Sequence, residues 1–306
     1  MIAYRAMLDV PRELVDKLAG LLRRERRRRG TRRNSRALSC GKQALLGLVW
    51  FRKNEEMTTL AAGFGISRAT GYRYRDEVTA VLAAEAPDLH AALQQVAEQG
   101  WSHVIVDGKV FRTDRCADTT TSAKGTTIHS WYSGKHRAFG GNVQAVMRPD
   151  GHPIWTSEVV TGHHHDMTAA RDAHLLGALY WAASQLDLPT LADGGYHGAG
   201  QGIHVPYKQP GDGNVLAVDH LAFNALQPGL RALGERGFAL LTRRWRALQR
   251  ITASPSRIGG ITAAARMLTE YEQRDLYRSC RDHLNERALT SVSGRTLDAS
   301  RGGQRQ

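Results

Sequence analysis

The stretch Leu191-Ala-Asp-Gly-Gly-Tyr-His-Gly-Ala-Gly200 decides how the rest of the chain is interpreted. A short apolar segment leads into Asp193, and glycines follow at positions 194, 195, 198 and 200. This order is typical of a buried strand that ends at an acid, followed by a turn that bends the backbone away. In an open α/β sheet such an acid faces the crevice that usually binds ligands. The alternative is an aspartate that only starts a glycine turn.

Composition narrows the class of protein. The chain has 306 residues, 42% of them hydrophobic and 23% charged, which is ordinary for a globular protein with one large and one smaller domain. The sequence contains no apolar run of about 18 residues, so we expect no transmembrane span and no membrane partner. The three cysteines, Cys40, Cys116 and Cys280, are far apart and form no CxxC pair. This pattern favours a reducing cytoplasm, where we expect the protein to associate with the nucleoid.

Positive charge is concentrated near the N-terminus. The net charge is +13, and residues 1–53 hold 15 of the 42 Lys and Arg but only 4 of the 29 Asp and Glu. Nine arginines fall between Arg23 and Arg36. Helices are predicted on both sides of this block, over residues 8–22 and 39–53, and Ser39 is expected to cap the second. Such a block attracts nucleic-acid phosphate. The alternative is a solvated Arg-rich segment without a partner.

Residues 58–75 have the pattern of a helix-turn-helix. A short apolar helix is followed by Gly65 for the tight turn, and a second helix begins after Ser67 and continues to about Leu82. The first turns of that helix are predicted to contact DNA bases or phosphates. The residues expected to do so are Ser67, Arg68, Thr70, Tyr72, Arg73 and Arg75. A helical hairpin that serves protein contacts is the alternative.

From residue 101 the pattern changes from helical to alternating. A buried strand is predicted over residues 101–108, ending at Asp107-Gly108, with a short continuation or hairpin partner over 110–112. Two more strands are predicted over 139–147 and 154–161. A helix capped by Asp166 follows, and then the strand that ends at Asp193. Two further helices are predicted over residues 218–233 and 235–249, with Glu235 beside the apolar stripe of the second.

Three acids thus occupy comparable places: Asp107 and Asp193 at strand ends and Glu235 early in a helix. Clustered carboxylates are the hard oxygen ligands that Mg²⁺ and Mn²⁺ prefer. A pair of such ions, about 4 Å apart, suits phosphoryl transfer because it serves both the attacking and the leaving oxygen. The three acids therefore predict a metal-dependent phosphoryl-transfer site.

These residues also carry a resemblance to a family. The segments V-I-V-D-G (104–108), W-Y-S-G-K-H-R (131–137), G-N-V-Q-A-V (141–146), H-D-M-T-A-A-R (165–171) and L-A-D-G-G-Y-H-G-A-G (191–200) occur in order, with P-D-G (149–151), P-Y-K (206–208) and E-R-G-F-A-L-L-T-R-R-W-R-A-L (235–248). Together, from about residue 29 to 268, they resemble a DDE transposase of a bacterial insertion sequence, in the insertion-sequence-five and harbinger-like group.

The resemblance implies an α/β fold: an RNase H-like catalytic domain, with a mixed sheet flanked by helices, preceded by an all-α helix-turn-helix domain. We expect these domains over residues 96–271 and 1–95, and a disordered tail over 272–306. It implies that Asp107, Asp193 and Glu235 bind Mg²⁺ or Mn²⁺, as two ions, and catalyse DNA cleavage and strand transfer. The implied partner is double-stranded DNA, both terminal inverted repeats and target, bound by a homodimer or larger assembly. Lys135, Arg137 and Lys208 are expected phosphate contacts.

Several alternatives stay open at this point. His163-His-His165 with Asp166 suggests zinc, although adjacent histidines diverge in direction. Asp219, Glu270 and Glu272 compete with Glu235 for the third acid. Asp166 is expected to cap its helix, and the resemblance also places it near the acids. The chain could be a nuclease that no longer transposes, or a catalytically inactive helix-turn-helix regulator derived from a transposase.

Overall fold

The computed structural model describes residues 7–122, 124–211 and 214–273. The helices are α1 (Arg12–Arg28), α2 (Cys40–Lys53), α3 (Met57–Gly63), α4 (Arg68–Ala83), α5 (Leu89–Glu98), α6 (Asp166–Asp172), α7 (Leu175–Gln185), α8 (Val218–Arg244) and α9, helical residues 258–273. The strands are β1 (Val104–Arg112), β2 (Thr119–Thr121), β3 (Thr127–His129), β4 (Tyr132–Ser133), β5 (Ala138–Met147), β6 (Pro153–Thr156), β7 (Val160–Thr161), β8 (Thr190–Leu191) and β9 (Ile203–His204). In the part of the chain thus described, no helix is long and apolar enough to cross a membrane.

The helix-turn-helix forms as local sequence predicts. After α3, Gly65 adopts a left-handed conformation with φ of 67°, which is where a residue without a Cβ is favoured. The Ser67 hydroxyl then accepts a hydrogen bond from the Thr70 amide and caps α4. Ser39 caps α2 in the same way through the Lys42 amide. These helix starts are confirmed.

The sequence predicts that the arginine block follows the first helix. Instead, α1 continues into the block and ends at Arg28. Arg26 is partly buried and donates to the Leu38 carbonyl and the Gln43 side chain, at 3.0 and 2.6 Å. Arg36, also partly buried, pairs with Glu77. The other seven are exposed, namely Arg23, Arg24, Arg27, Arg28, Arg29, Arg32 and Arg33. Most of the block therefore presents positive charge to solvent.

A seven-stranded mixed sheet is built around β1 and β5, which pair antiparallel over eight positions from Ile105↔Met147 to Arg112↔Gly140. The short strands β4, β7 and β6 pair antiparallel with successive parts of β5. On the other side of β1, β8 and then β9 pair parallel. The long strands β1 and β5 and the short partners of β5 form an antiparallel meander, and β8 and β9 lie parallel to β1 on its other side. This is the strand order of an RNase H-like sheet, which confirms the predicted fold class.

β1 includes the continuation that the sequence suggests over residues 110–112. It runs on to Arg112, and Asp107 lies in its interior, opposite Ala145 of β5. The prediction that Asp107 ends its strand is therefore wrong. Glycine normally weakens a strand, but Gly108 is held in register opposite Gln144 by the antiparallel pairing with β5.

The two faces of the sheet bury two different cores. One core contains Val104, Val106 and Val146 with apolar residues of α5 and α7. The other contains Ile105 and Phe111 with α8, α9 and the N-terminal helices. The helix α5 therefore packs on one face of the sheet, whereas α1–α4 share the core on the other face. The domain bounds of 1–95 and 96–271 stay a prediction.

The C-terminal third is more continuous than predicted. The two helices expected over 218–233 and 235–249 form one helix, α8, with Pro228 inside it, and it ends at Arg244. Residues 272 and 273 belong to α9, and Glu272 is buried and accepts from the Arg244 guanidinium at 2.8 Å. The rest of the expected tail, residues 274–306, lies outside the described residues.

Candidate active site

Asp107 stands in the middle of β1, with its carboxylate largely buried. Burial raises its pKa to about 6, and the negative charge of Asp193 is the next cause, with a smaller contribution from Asp166. The Gly108 amide, which donates to Asp107 at 2.9 Å, and the charge of Arg231 act in the opposite direction. Burial, with the charges of two neighbouring carboxylates, thus makes the ionised form of Asp107 unfavourable.

Asp193 follows β8, the parallel neighbour of β1. Its carboxylate accepts from the Gly195 amide at 2.8 Å and so caps a short 3-10 turn over Gly194–Tyr196. Asp193 therefore does start the glycine turn, as the alternative interpretation of the sequence states. β1 and β8 pair parallel in the register Ile105↔Leu191, so Asp107 and Asp193 each lie two residues beyond a paired position. This brings Asp193 close enough to raise the pKa of Asp107.

Asp166 does not cap its helix, which corrects the prediction. α6 begins with Asp166 as its first residue, and the position before it, His165, makes no side-chain cap. The Asp166 carboxylate instead accepts from the Asn142 amide at 3.0 Å and from Lys135 Nζ at 3.1 Å. The charge of Asp166 raises the pKa of Lys135, and the charges of Asp193 and Asp107 act in the same direction. Asp166 therefore belongs to the same anionic centre.

Two glycines make room for this centre. A Cβ at Gly108 would lie 2.5 Å from Asp166 Oδ1 and from Gln144 Nε2. A Cβ at Gly195 would lie 2.8 Å from Asp193 Oδ1 and 3.5 Å from Asp166 Oδ2, so these two oxygens lie within 3.5 Å of one point. The glycines next to the acids are explained by close approach of carboxylates rather than by turn geometry alone.

Glu235, the predicted third acid, lies on α8 with its side chain 66% exposed. It pairs with Arg231 one helical turn earlier, at 3.4 Å, and Arg231 is among the charges that act on Asp107. α8 crosses β1 closely here, since a Cβ at Gly234 would lie 2.7 Å from Ile105 Cγ2. The structure brings Asp107, Asp193 and Asp166 together and leaves Glu235 beside them, separated by Arg231.

Two of the three competing acids are engaged elsewhere, and the third is exposed to solvent. Glu270 contacts His152 Nε2 at 2.7 Å, Glu272 binds Arg244, and Asp219 is exposed near the start of α8. In the histidine cluster, the His163 and His164 rings lie 4.1 Å apart, and His164 Nδ1 lies 3.2 Å from Asp172.

The donor set fits a hard divalent cation in its chemistry. Asp107, Asp193 and Asp166 supply carboxylate oxygens, and their mutual repulsion is visible in the raised pKa of Asp107. Across residues 7–122, 124–211 and 214–273, no three His, Cys, Asp or Glu side chains converge as closely as a bound ion requires. The carboxylates would therefore have to move toward one another to share an ion.

A hydrogen-bonded chain supports Asp166 from beneath. The Tyr196 hydroxyl donates to Gln144 Oε1, Gln144 Nε2 donates to Asn142 Oδ1 at 2.9 Å, and Asn142 donates to Asp166. All three supporting side chains are at most 1% exposed. Sequence reasoning missed them; the signal available was polar residues alternating in an otherwise apolar strand, G-N-V-Q-A-V (141–146).

One lysine and several histidines line a cavity next to this centre. The cavity, of about 400 Å³, is lined by Lys135, Asn142, Asp166 and the histidines His163 and His164, among others. Two further expected phosphate contacts are also exposed, Arg137 in the turn between β4 and β5 and Lys208 after β9.

The recognition face of α4 is mostly as predicted. Arg68, Tyr72 and Arg73 are exposed, Ser67 is exposed at the cap, and Thr70 is half-buried. The expected exposure of Arg75 is wrong. Its residue is 7% exposed; its guanidinium binds Asp76 at 2.7 Å and lies over the Tyr72 and Trp50 rings, at 4.8 and 5.2 Å from their centroids. Arg75 therefore stabilises the packing of α4 on α2 and is not free to contact DNA.

Comparison with known proteins agrees with both halves of the chain. Residues 36–88 match the sequence model described as helix-turn-helix of DDE superfamily endonuclease. No curated protein sequence matches the chain. Among solved structures the chain is similar to one in the crystal structure of a pre-cleavage Mos1 transpososome, with 13% identity, 80% coverage of each chain and a TM-score of 0.20. Residues 106–270, more than half of the chain, match the model described as DDE superfamily endonuclease. The protein therefore belongs to the DDE superfamily endonucleases.

Proposed function

We propose that the protein is a divalent-metal-dependent transposase that cleaves DNA at the ends of an insertion sequence and joins the released ends to target DNA. The observation that carries this proposal is the pairing of Asp107 and Asp193 on parallel neighbouring strands. Their charges are close enough that the pKa of Asp107, already raised by burial, is raised further by Asp193. Carboxylates that are held close together although their charges repel each other are typical of a site that binds a cation.

The proposed ligands are Asp107, Asp193 and Glu235. A bound pair of Mg²⁺ or Mn²⁺ ions would supply Lewis acidity to the scissile phosphate and lower the pKa of a water nucleophile. Glu235 would reach the centre by leaving its ion pair with Arg231. The exposed side chain of Glu235 leaves it free to do so. Arg231, once released, is placed to bind a phosphate oxygen beside Asp107. Lys135 has the same capacity on the opposite side, beside Asp166.

DNA binding is assigned to the N-terminal helices. The exposed side chains of Arg68 and Arg73 on α4 would enter or border the major groove, as recognition helices do. The exposed arginines of α1 and the loop after it would add phosphate contacts that are independent of sequence. Strand transfer needs both ends of an element at once, so the active form would contain at least two copies.

Metal-dependent nicking tests this proposal. The substrate is a supercoiled plasmid that carries the gene with its natural flanking DNA, incubated with the protein and either Mg²⁺, Mn²⁺ or EDTA. The wild type nicks only with metal, and Asp107→Asn or Asp193→Asn lowers the rate by roughly 1,000-fold, since several kcal/mol of transition-state stabilisation is lost. Asp172→Asn, on the exposed face of α6, is the matched control and keeps the wild-type rate.

Two outcomes would redirect the assignment. Nicking that persists in Asp193→Asn would show that the site is elsewhere. Wild-type protein that binds the flanking DNA but never cuts it would favour a catalytically inactive regulator, a function consistent with the exposed position of Glu235. Glu235→Gln tests the third acid by itself: full activity in this variant would transfer that role to another carboxylate.

A further inference from the structure

Asp166 lies among the acids of the candidate site, at the first residue of a helix that it does not cap. Its carboxylate makes no cap bond to α6. It is turned instead toward β1 and the 3-10 turn after β8. A Cβ at Gly108 would lie 2.5 Å from its Oδ1, so glycine at this position leaves space for the carboxylate. The side chain of Asp166 is 15% exposed.

The chain of hydrogen bonds beneath Asp166 is directional. Each member donates toward the acid: Tyr196 to Gln144, Gln144 to Asn142, and Asn142 to Asp166 Oδ1. Burial raises the pKa of Tyr196 well above its ordinary value of 10, and the three aspartates add to the shift. Tyr196 therefore keeps its proton and remains a donor. A buried chain of this kind fixes the orientation of the carboxylate at its end, as partners behind metal ligands do.

Lys135 supplies the second contact. Its Nζ lies 3.1 Å from Asp166 Oδ2, and its side chain is 58% exposed. An exposed lysine on a short turn is easily displaced, whereas Asn142 is buried and is not. Oδ2 can therefore be released to another cation while Oδ1 stays fixed.

We propose that Asp166 is a further metal-binding acid of this centre, and that Asn142, Gln144 and Tyr196 are the residues that position it. The proposal rests on the metal-dependent function proposed above. It assigns the Oδ2 atom of Asp166 to the same ion-binding volume as Asp107 and Asp193, with Lys135 as the cation that the ion replaces.

Binding of Mn²⁺ to the full-length protein without DNA tests this, by electron paramagnetic resonance of the free ion. Asp166→Asn keeps the size of the side chain and lowers the affinity at least about 10-fold. Asp172→Asn, six residues further on α6 and paired with His164 at the surface, leaves the affinity unchanged. Tyr196→Phe removes only the hydroxyl at the far end of the chain, with Gln144 and Asn142 between it and Asp166, and lowers the affinity by less than Asp166→Asn does.

Thermal unfolding in EDTA separates this role from a purely structural one. If Asp166 only anchors α6, Asp166→Asn lowers the melting temperature and Mn²⁺ affinity stays as in the wild type; that result would overturn the proposal. If Asp166 is a metal-binding acid, removing one of three repelling charges leaves the melting temperature equal or higher while affinity falls. Lys135→Met offers a second variant that does not touch the acids, and it should bind Mn²⁺ more tightly than the wild type.

The same titrations distinguish failure of this proposal from failure of the proposed function. Wild-type protein that binds no Mn²⁺ would contradict both. Wild-type protein whose Mn²⁺ binding is lost in Asp107→Asn and Asp193→Asn but kept in Asp166→Asn would contradict only the assignment of Asp166.

Discussion

The replacement Gly108→Ala measures how tightly the acidic centre is packed against β1. The new methyl group would lie 2.5 Å from Asp166 Oδ1 and Gln144 Nε2, and 3.1 Å from Asp166 Cγ. Ordinary contact distances begin near 3.5 Å, so both side chains must retreat by about 1 Å. Such crowding costs about 1–3 kcal/mol, offset by about 0.5–1 kcal/mol because alanine loses less backbone entropy than glycine. We expect a net destabilisation of about 1–2 kcal/mol.

The functional effect of Gly108→Ala should exceed its effect on stability. A shift of about 1 Å breaks the 3.0 Å bond between Asn142 and Asp166 and misplaces the carboxylate, which by analogy with other sites lowers nicking roughly 100-fold. The assays are plasmid nicking and thermal unfolding, where 1–2 kcal/mol lowers the melting temperature by roughly 2–6 °C. Gly177→Ala in α7, where a Cβ meets nothing within 4 Å, is the control. Equal behaviour of the two variants would refute the close packing of Asp166 on β1.

Two further predictions concern charge. In EDTA, Asp107→Asn should stabilise the protein at pH 8, because a folded-state pKa of about 6 against the ordinary 3.8 means that ionisation of Asp107 opposes folding. The gain in free energy of unfolding is at most about 3 kcal/mol, at 1.36 kcal/mol per pKa unit; it shrinks as the pH falls from 6 and vanishes below about 4. An equal gain in unfolding scans at pH 4 and at pH 8 would contradict this prediction. On α4, Arg73→Ala should weaken DNA binding and reduce the slope of log affinity against log salt by about 1 with no change in melting temperature, whereas Arg75→Ala should lower the melting temperature and leave that slope intact.

Local signals in the sequence determined the N-terminal helices well. Ser39 and Ser67 cap α2 and α4, and Gly65 makes the turn between α3 and α4, because a cap or a turn depends on residues within about four positions of one another. The alternation of apolar residues likewise located β1 and β5. These features follow from backbone hydrogen bonding and side-chain periodicity, which a single sequence displays directly.

The sequence also identified Asp107 and Asp193 as candidate acids, but the pairing of their two strands and the surroundings of each acid were decided by tertiary structure. Asp166 looked like a helix cap and proves to face β1, and Arg75 looked exposed and proves to be packed between two aromatic rings. The bond from Tyr196 to Gln144 joins residues 52 positions apart. Contacts of that kind arise only when the sheet brings distant segments together, so burial and charge around each acid depend on packing that no local pattern encodes.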